Sequence, residues 1–98
     1  MTPDERRAKI EALLLEEREE AYALAWRRGL EAIDSHVRFT LATKRMSRRA
    51  ESNAKTAIGM LCGAAEGDAR RGVISSLCAE TLIAAGRAAV SRLAKDHP

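Results

Sequence analysis

Apolar residues recur at helical spacing from Pro3 to about residue 44, with no proline inside the stretch. The start is marked chemically. Thr2 is placed to cap, Pro3 suits the first helical position, and Asp4 and Glu5 favour the positive end of the helix dipole. Thr2-x-x-Glu5 is also a capping-box pattern. At about 1.5 Å of rise per residue, this predicts a rod roughly 60 Å long. Its apolar stripe changes face. Ile10, Leu13, Leu14, Ala21 and Leu24 lie on one side; Leu15, Tyr22, Trp26, Leu30, Ile33, Val37 and Leu41 lie on nearly the opposite side. The stripes overlap in Ala21–Trp26, which is apolar all round. Two stripes need two partners, one within the chain and one in a second copy. A kink or break near residues 20–29 is the competing account. The remaining side carries Glu16, Glu20, Arg27, Glu31, Asp34, Arg38 and Arg45. Within it, Arg27–Glu31 and Asp34–Arg38 are opposite charges one turn apart, as a solvated face would have.

Residues 44–53 are polar and form the best candidate turn, with Ser47, Ser52 and Asn53 available as caps. A second helix is predicted over about 50–66, with Ala50, Ala54, Ala57, Ile58, Leu61, Cys62 and Ala65 on one face. Gly67–Asp68 reads as a turn, with Asp68 capping a third helix over about 69–95. That helix has two stripes. One is Ile74, Leu77, Cys78, Leu82, Ala85, Ala89 and Leu93; the other is Ala79, Ile83, Gly86, Val90 and Ala94. Only Glu80, Arg87 and Ser91 make a clearly polar strip. Two companion helices are too few to cover so apolar a surface, which predicts self-association. The expected fold is therefore all-α and a single domain over 1–98. A long N-terminal helix packs on a helical hairpin, and a homodimer or larger bundle completes it.

Composition supports helices. Of the residues, 46% are hydrophobic but only 3% aromatic, and alanine, leucine, glutamate and arginine dominate. No apolar run reaches membrane-spanning length, and no secretory leader pattern opens the chain. The net charge of +3 is unevenly spread. Residues 1–20 carry seven acids against four bases, whereas residues 21–60 carry eight bases against three acids. The two segments can attract each other within or between chains, and the basic one can meet a phosphate backbone or an acidic protein. Cys62 and Cys78 sit among apolar residues without a C-x-x-C pattern. They read as unpaired thiols in a reducing cytoplasm, with a disulfide across the hairpin as the alternative.

The candidate chemistry is thin. Gly59, Gly63 and Gly67 recur every four residues and predict close packing against the third helix, with Gly67 as the C-terminal cap. Lys44, Arg45, Arg48 and Arg49, joined by Arg38, form a basic contact patch. It serves either as a solvated turn or as a phosphate-binding surface, although no aromatic stacking platform accompanies it. Tyr22, Trp26, Arg27, Leu30, Ile83 and Val90 are the candidate protein interface, since Trp and Arg anchor binding surfaces; Trp26 also fits a core position. His36 reads as an exposed mid-helix histidine. No nucleophile–base pair, Glu-x-x-His motif or phosphate loop is legible, so no enzyme activity, cofactor or metal is expected. The expected function is a non-catalytic protein-binding module: an adaptor, a chaperone-like partner, or a small inhibitor or regulator of a larger machine of the phage or mobile-element kind. Its partners would be itself and an unidentified protein. The alternatives are a nucleic-acid-associated protein and a structural oligomer subunit; no membrane partner is expected.

Overall fold

The computed structural model describes residues 1–43 and 47–95, with the side chains of Ala94 and Lys95 left aside. It contains three helices: α1 (Pro3–Thr43), α2 (Arg48–Arg70) and α3 (Ser76–Lys95). The all-α, three-helix expectation holds. Lys44, and with it the expected end of α1, lies outside the described residues. The molecule measures 63 × 20 × 16 Å, and its long dimension is that of α1.

α1 is one uninterrupted helix of 41 residues, so there is no break at residues 20–29. The backbone amide of Glu5 donates to Thr2 Oγ1 at 3.1 Å, as the capping pattern predicts. α2 begins immediately after Ser47, whose Oγ accepts from the Ala50 amide at 3.1 Å. The helix therefore starts earlier in the expected 44–53 turn than the polar residues suggest.

The second turn needs a larger correction. α2 does not stop at Gly67–Asp68 but runs on through Arg70. It ends in a Schellman arrangement around Gly72, the one glycine with positive φ (77°) among the described residues. The Gly72 amide donates to the Ala69 carbonyl at 3.1 Å and the Val73 amide to the Asp68 carbonyl at 2.9 Å. Only glycine takes this left-handed conformation without cost, so Gly72 rather than Gly67 terminates the helix. Ser75, not Asp68, caps α3 by accepting from the Cys78 amide at 3.1 Å. The first turn of α3 contains no acidic residue of its own. Glu19 of α1 supplies one, its Oε1 accepting from the Ser75 amide at 2.7 Å.

The Tyr22–Val37 stripe of α1 lies on the α2–α3 hairpin and builds two adjoining clusters. Trp26, Ala65, Ile74, Ala79 and Leu82 form one; Val37, Ala54, Ile58, Ala89 and Leu93 form the other. Leu77, expected in the α3 core stripe, points outward and is 73% exposed. Because α3 starts later than expected, Leu77 falls in its first turn. The opposite stripe of α1 remains uncovered by this chain: Ile10, Leu13, Leu14 and Leu24 are each about half exposed.

At Gly86 α3 lies tightly against both α1 and α2. A Cβ there would stand 2.6 Å from Cys62 Sγ, 3.3 Å from the Trp26 ring and 3.4 Å from an Ile58 methyl. Gly86→Ala is therefore expected to destabilise the chain by about 1–2 kcal/mol, the strain of overpacking outweighing the better helix propensity. Adding Cys62→Ala removes the nearest atom and should recover part of the loss. Urea denaturation of the single and double variants checks both.

Candidate protein-binding surface

α2 and α3 meet α1 through one side of the hairpin, which leaves the other side open. Along it runs a groove of about 1020 Å³ to which α1 contributes no residue. Ile83 and Val90 of α3 line it half-exposed, and Gly59 and Gly63 of α2 face them. The expected tight packing of this glycine row against α3 does not occur: a Cβ at Gly59 or Gly63 would meet no atom within 4 Å. Gly67, expected as a cap, instead lies under the Arg71 guanidinium. Lys55, Glu66 and Arg70 on one rim and Glu80 and Arg87 on the other surround the apolar floor. Lys55 pairs with Glu51 at 3.1 Å and Arg70 with Glu66 at 2.6 Å.

The other candidate interface residues divide. Trp26 is 5% exposed and donates its indole N–H to the Leu61 carbonyl at 2.7 Å, so it belongs to the core and is not offered to a partner. Leu30 packs half-buried between the two clusters. Tyr22 is also half-buried, and its hydroxyl donates to Asp68 Oδ2 at 2.6 Å. Burial, then this bond and the carboxylate charge, push the Tyr22 hydroxyl up to about 12. The same bond, together with Arg71, holds the Asp68 carboxyl below its usual range. Tyr22 and Asp68 therefore join α1 to α2 rather than reaching outward. Arg27 is exposed, but its expected pair with Glu31 is absent among the described ion pairs; Asp34–Arg38 does close, at 3.0 Å.

Of the basic patch, Arg38, Arg48 and Arg49 are exposed at the α1–α2 end of the molecule, while Lys44 and Arg45 lie outside the described residues. His36 is exposed. Cys62 and Cys78 are both unpaired and half-buried. Burial raises both thiols above their usual range, which keeps them protonated and poorly nucleophilic at neutral pH. Among the described residues, no three His, Cys, Asp or Glu side chains cluster as a metal site, and no helix is long and apolar enough to cross a membrane. The groove is thus a feature that the fold builds and does not itself use. Its glycines gave only half a signal in the sequence: their spacing was legible, but not which side of α2 they would occupy.

Two expectations follow from this geometry. Gly59→Ala and Gly63→Ala each place a methyl in open space and should stabilise the isolated chain by up to about 1 kcal/mol, read as a rise in urea midpoint. The Tyr22–Asp68 bond sets a pH window. The raised Tyr22 contributes stability that is intact below pH 10 and lost as the pH climbs from 10 towards 12. The lowered Asp68 contributes stability that is present above its unfolded value of 3.8 and lost as the pH falls through its lower folded value. The stability difference between wild type and Tyr22→Phe should therefore be flat between pH 5 and 9 and shrink at both extremes. No protein-family model matches the chain, and no curated protein or solved structure matches it either.

Proposed function

We propose that this chain is a non-catalytic protein-binding module that receives one amphipathic helix of a partner protein in the groove between α2 and α3. Gly59 and Gly63 carry the reading. A mid-helix glycine costs about 1 kcal/mol relative to alanine, and close packing is what ordinarily offsets it. Among the described residues no atom lies within 4 Å of a Cβ built at either position. A backbone docked from outside, over the half-exposed Ile83 and Val90, supplies the missing contact. The lining runs from Lys55 to Arg70 on α2 and from Ser76 to Ser91 on α3, about 22 Å on each side, or four turns of a helix. An apolar floor between charged rims suits a helix with an apolar stripe and polar flanks. An adaptor, a chaperone-like partner or a small inhibitor would work this way, and two unpaired cysteines fit a reducing cytoplasm.

The test uses the same open space. Gly63→Arg enters the groove from a position whose Cβ would meet no described atom within 4 Å, so the fold should survive, as checked by circular dichroism. Tagged wild type and Gly63→Arg are compared in their host by cross-linking and quantitative mass spectrometry. A partner enriched by wild type and depleted at least tenfold by Gly63→Arg is the expected result. A partner that ignores Gly63→Arg overturns the reading. So does capture that vanishes with nuclease or with the Arg48→Glu, Arg49→Glu double variant, which moves the function to the basic patch and to nucleic acid.

A further inference from the structure

α1 is longer than the hairpin that it lies on. Its first hydrogen bonds to the hairpin come from Arg18, which donates to the Val73 carbonyl, and from Glu19, which accepts from the Ser75 amide. Every residue before Leu15 is exposed. Residues 3–14 therefore project past the α2–α3 turn as an arm about 18 Å long, packed on no other described element. A helix draws most of its stability from packing an amphipathic face, and the arm leaves such a face bare. Ile10, Leu13 and Leu14 form that face, on the side of α1 opposite Leu15 and Trp26. It looks away from the hairpin in one direction, while the groove opens in the other. Glu80 and Arg87 on the groove rim form no ion pair within the chain among the described residues.

We infer that the arm of a second copy of this chain occupies the groove, parallel to α3, with Ile10 over Gly63 and Ile83. This rests on the reading of the groove as a helix-binding site and names the partner. The arm matches the groove in length to within about one turn. Charge fixes its direction. Gly86 lies against Cys62 and Ile58, so antiparallel α2 and α3 set Glu66 level with Glu80 and Gly59 level with Arg87. With Ile10 level with Ile83 and about 1.5 Å of rise on every helix, Arg7 comes level with Glu66 and Glu80, and Leu14 with Gly59. Glu16 and Glu17 reach the end held by Arg87 and Lys55. The hand of the helix then sorts the sides. Arg7 and Leu14 turn towards α2, and Arg6, Lys9, Leu13 and Glu16 towards α3. Arg7 thus meets Glu66, Arg6 and Lys9 meet Glu80, and Glu16 meets Arg87. Leu14 lies over the bare Gly59, and Leu13 falls between Ile83 and Val90. Asp4 and Glu5 stay on the outward side. Reversed about Ile10, the arm would set Arg6 level with Arg87 and Leu13 level with Glu66 and Glu80, so that direction is disfavoured. The hairpin of the donating copy lies on the far side of its arm, clear of the groove. Because arm face and groove mouth look opposite ways, joined copies keep one orientation, and every junction leaves one arm and one groove free. The contact is heterologous and builds a head-to-tail chain rather than a closed pair.

Sedimentation equilibrium of the full chain over a concentration series tests this. Wild type should grow past twice 10.7 kDa as the concentration rises. Gly63→Arg blocks the groove and keeps the arm, whereas Leu13→Glu with Leu14→Glu blocks the arm and keeps the groove. These positions are exposed, and circular dichroism confirms that each variant keeps its helices. Each variant alone should stay monomeric, and mixing the two should give a pair of twice 10.7 kDa that grows no further. Adding Glu80→Arg to the chain with the open groove should weaken that pair roughly tenfold. Adding Arg6→Glu and Lys9→Glu to the other chain should restore it, because the signs are exchanged across the junction. A wild type that stays monomeric overturns the inference, as does a closed dimer, a mixture that forms no pair, or a pair indifferent to Glu80→Arg or not rescued by the exchange. A monomeric chain whose host partner is still lost with Gly63→Arg removes this occupant and leaves the groove reading standing. Host capture indifferent to Gly63→Arg is the separate result that removes the groove reading itself.

Discussion

Where the three helices meet, Gly86 leaves a space shared by the Trp26 ring of α1 and by Cys62 and Ile58 of α2. That shared space sets the distance between all three axes. Beside it the indole of α1 donates to the Leu61 carbonyl of α2, satisfying an N–H that burial would otherwise leave unpaired. The two core clusters continue from this point in opposite directions along the hairpin, so a change there would be felt in both. Alanine supplies much of the remaining interface, and its small volume keeps the helices close without large side chains to interlock.

The packing is one-sided. α1 spends one stripe on the hairpin and leaves the other to solvent, and the hairpin does the same with its two faces. A chain of this size cannot bury both surfaces of three helices, because its surface is large relative to its volume. What remains uncovered is patterned rather than random. One uncovered surface has glycines facing an apolar floor; the other is the outer row of α1, with Ile10, Leu13, Leu14 and Leu24 half exposed. Scattered surface leucines would need no explanation, whereas two ordered surfaces do.

Much of the fold was legible because helical periodicity is strong in a chain of this composition. The start of α1, its hairpin-facing stripe and the buried face of α2 follow directly from spacing. The hairpin turn was not legible. Gly67–Asp68 and Gly72 both look like helix ends, and which glycine adopts positive φ depends on whether Val73 and Ile74 can reach the core, a tertiary matter. Shifting that turn by five residues moved Leu77 to the surface and passed the cap of α3 from Asp68 to Ser75. The glycine row misled for a related reason. Spacing says that three glycines share a face, but not whether that face looks inward. Trp26 sat on both a core stripe and a list of plausible anchors, and only the depth of the Gly86 gap decides between them.

The Glu19 carboxylate accepts from an amide 56 residues further along the chain. During synthesis the acceptor is made early and the donor late, so the third helix acquires its full N-terminal cap only when most of the polypeptide already exists. The hairpin can close locally, but the Ser75 amide meets its acceptor only when the long helix is seated beside it. Helix docking and the completion of that turn are thereby one event, and amide exchange at Ser75 would report on the whole molecule rather than on its own neighbourhood.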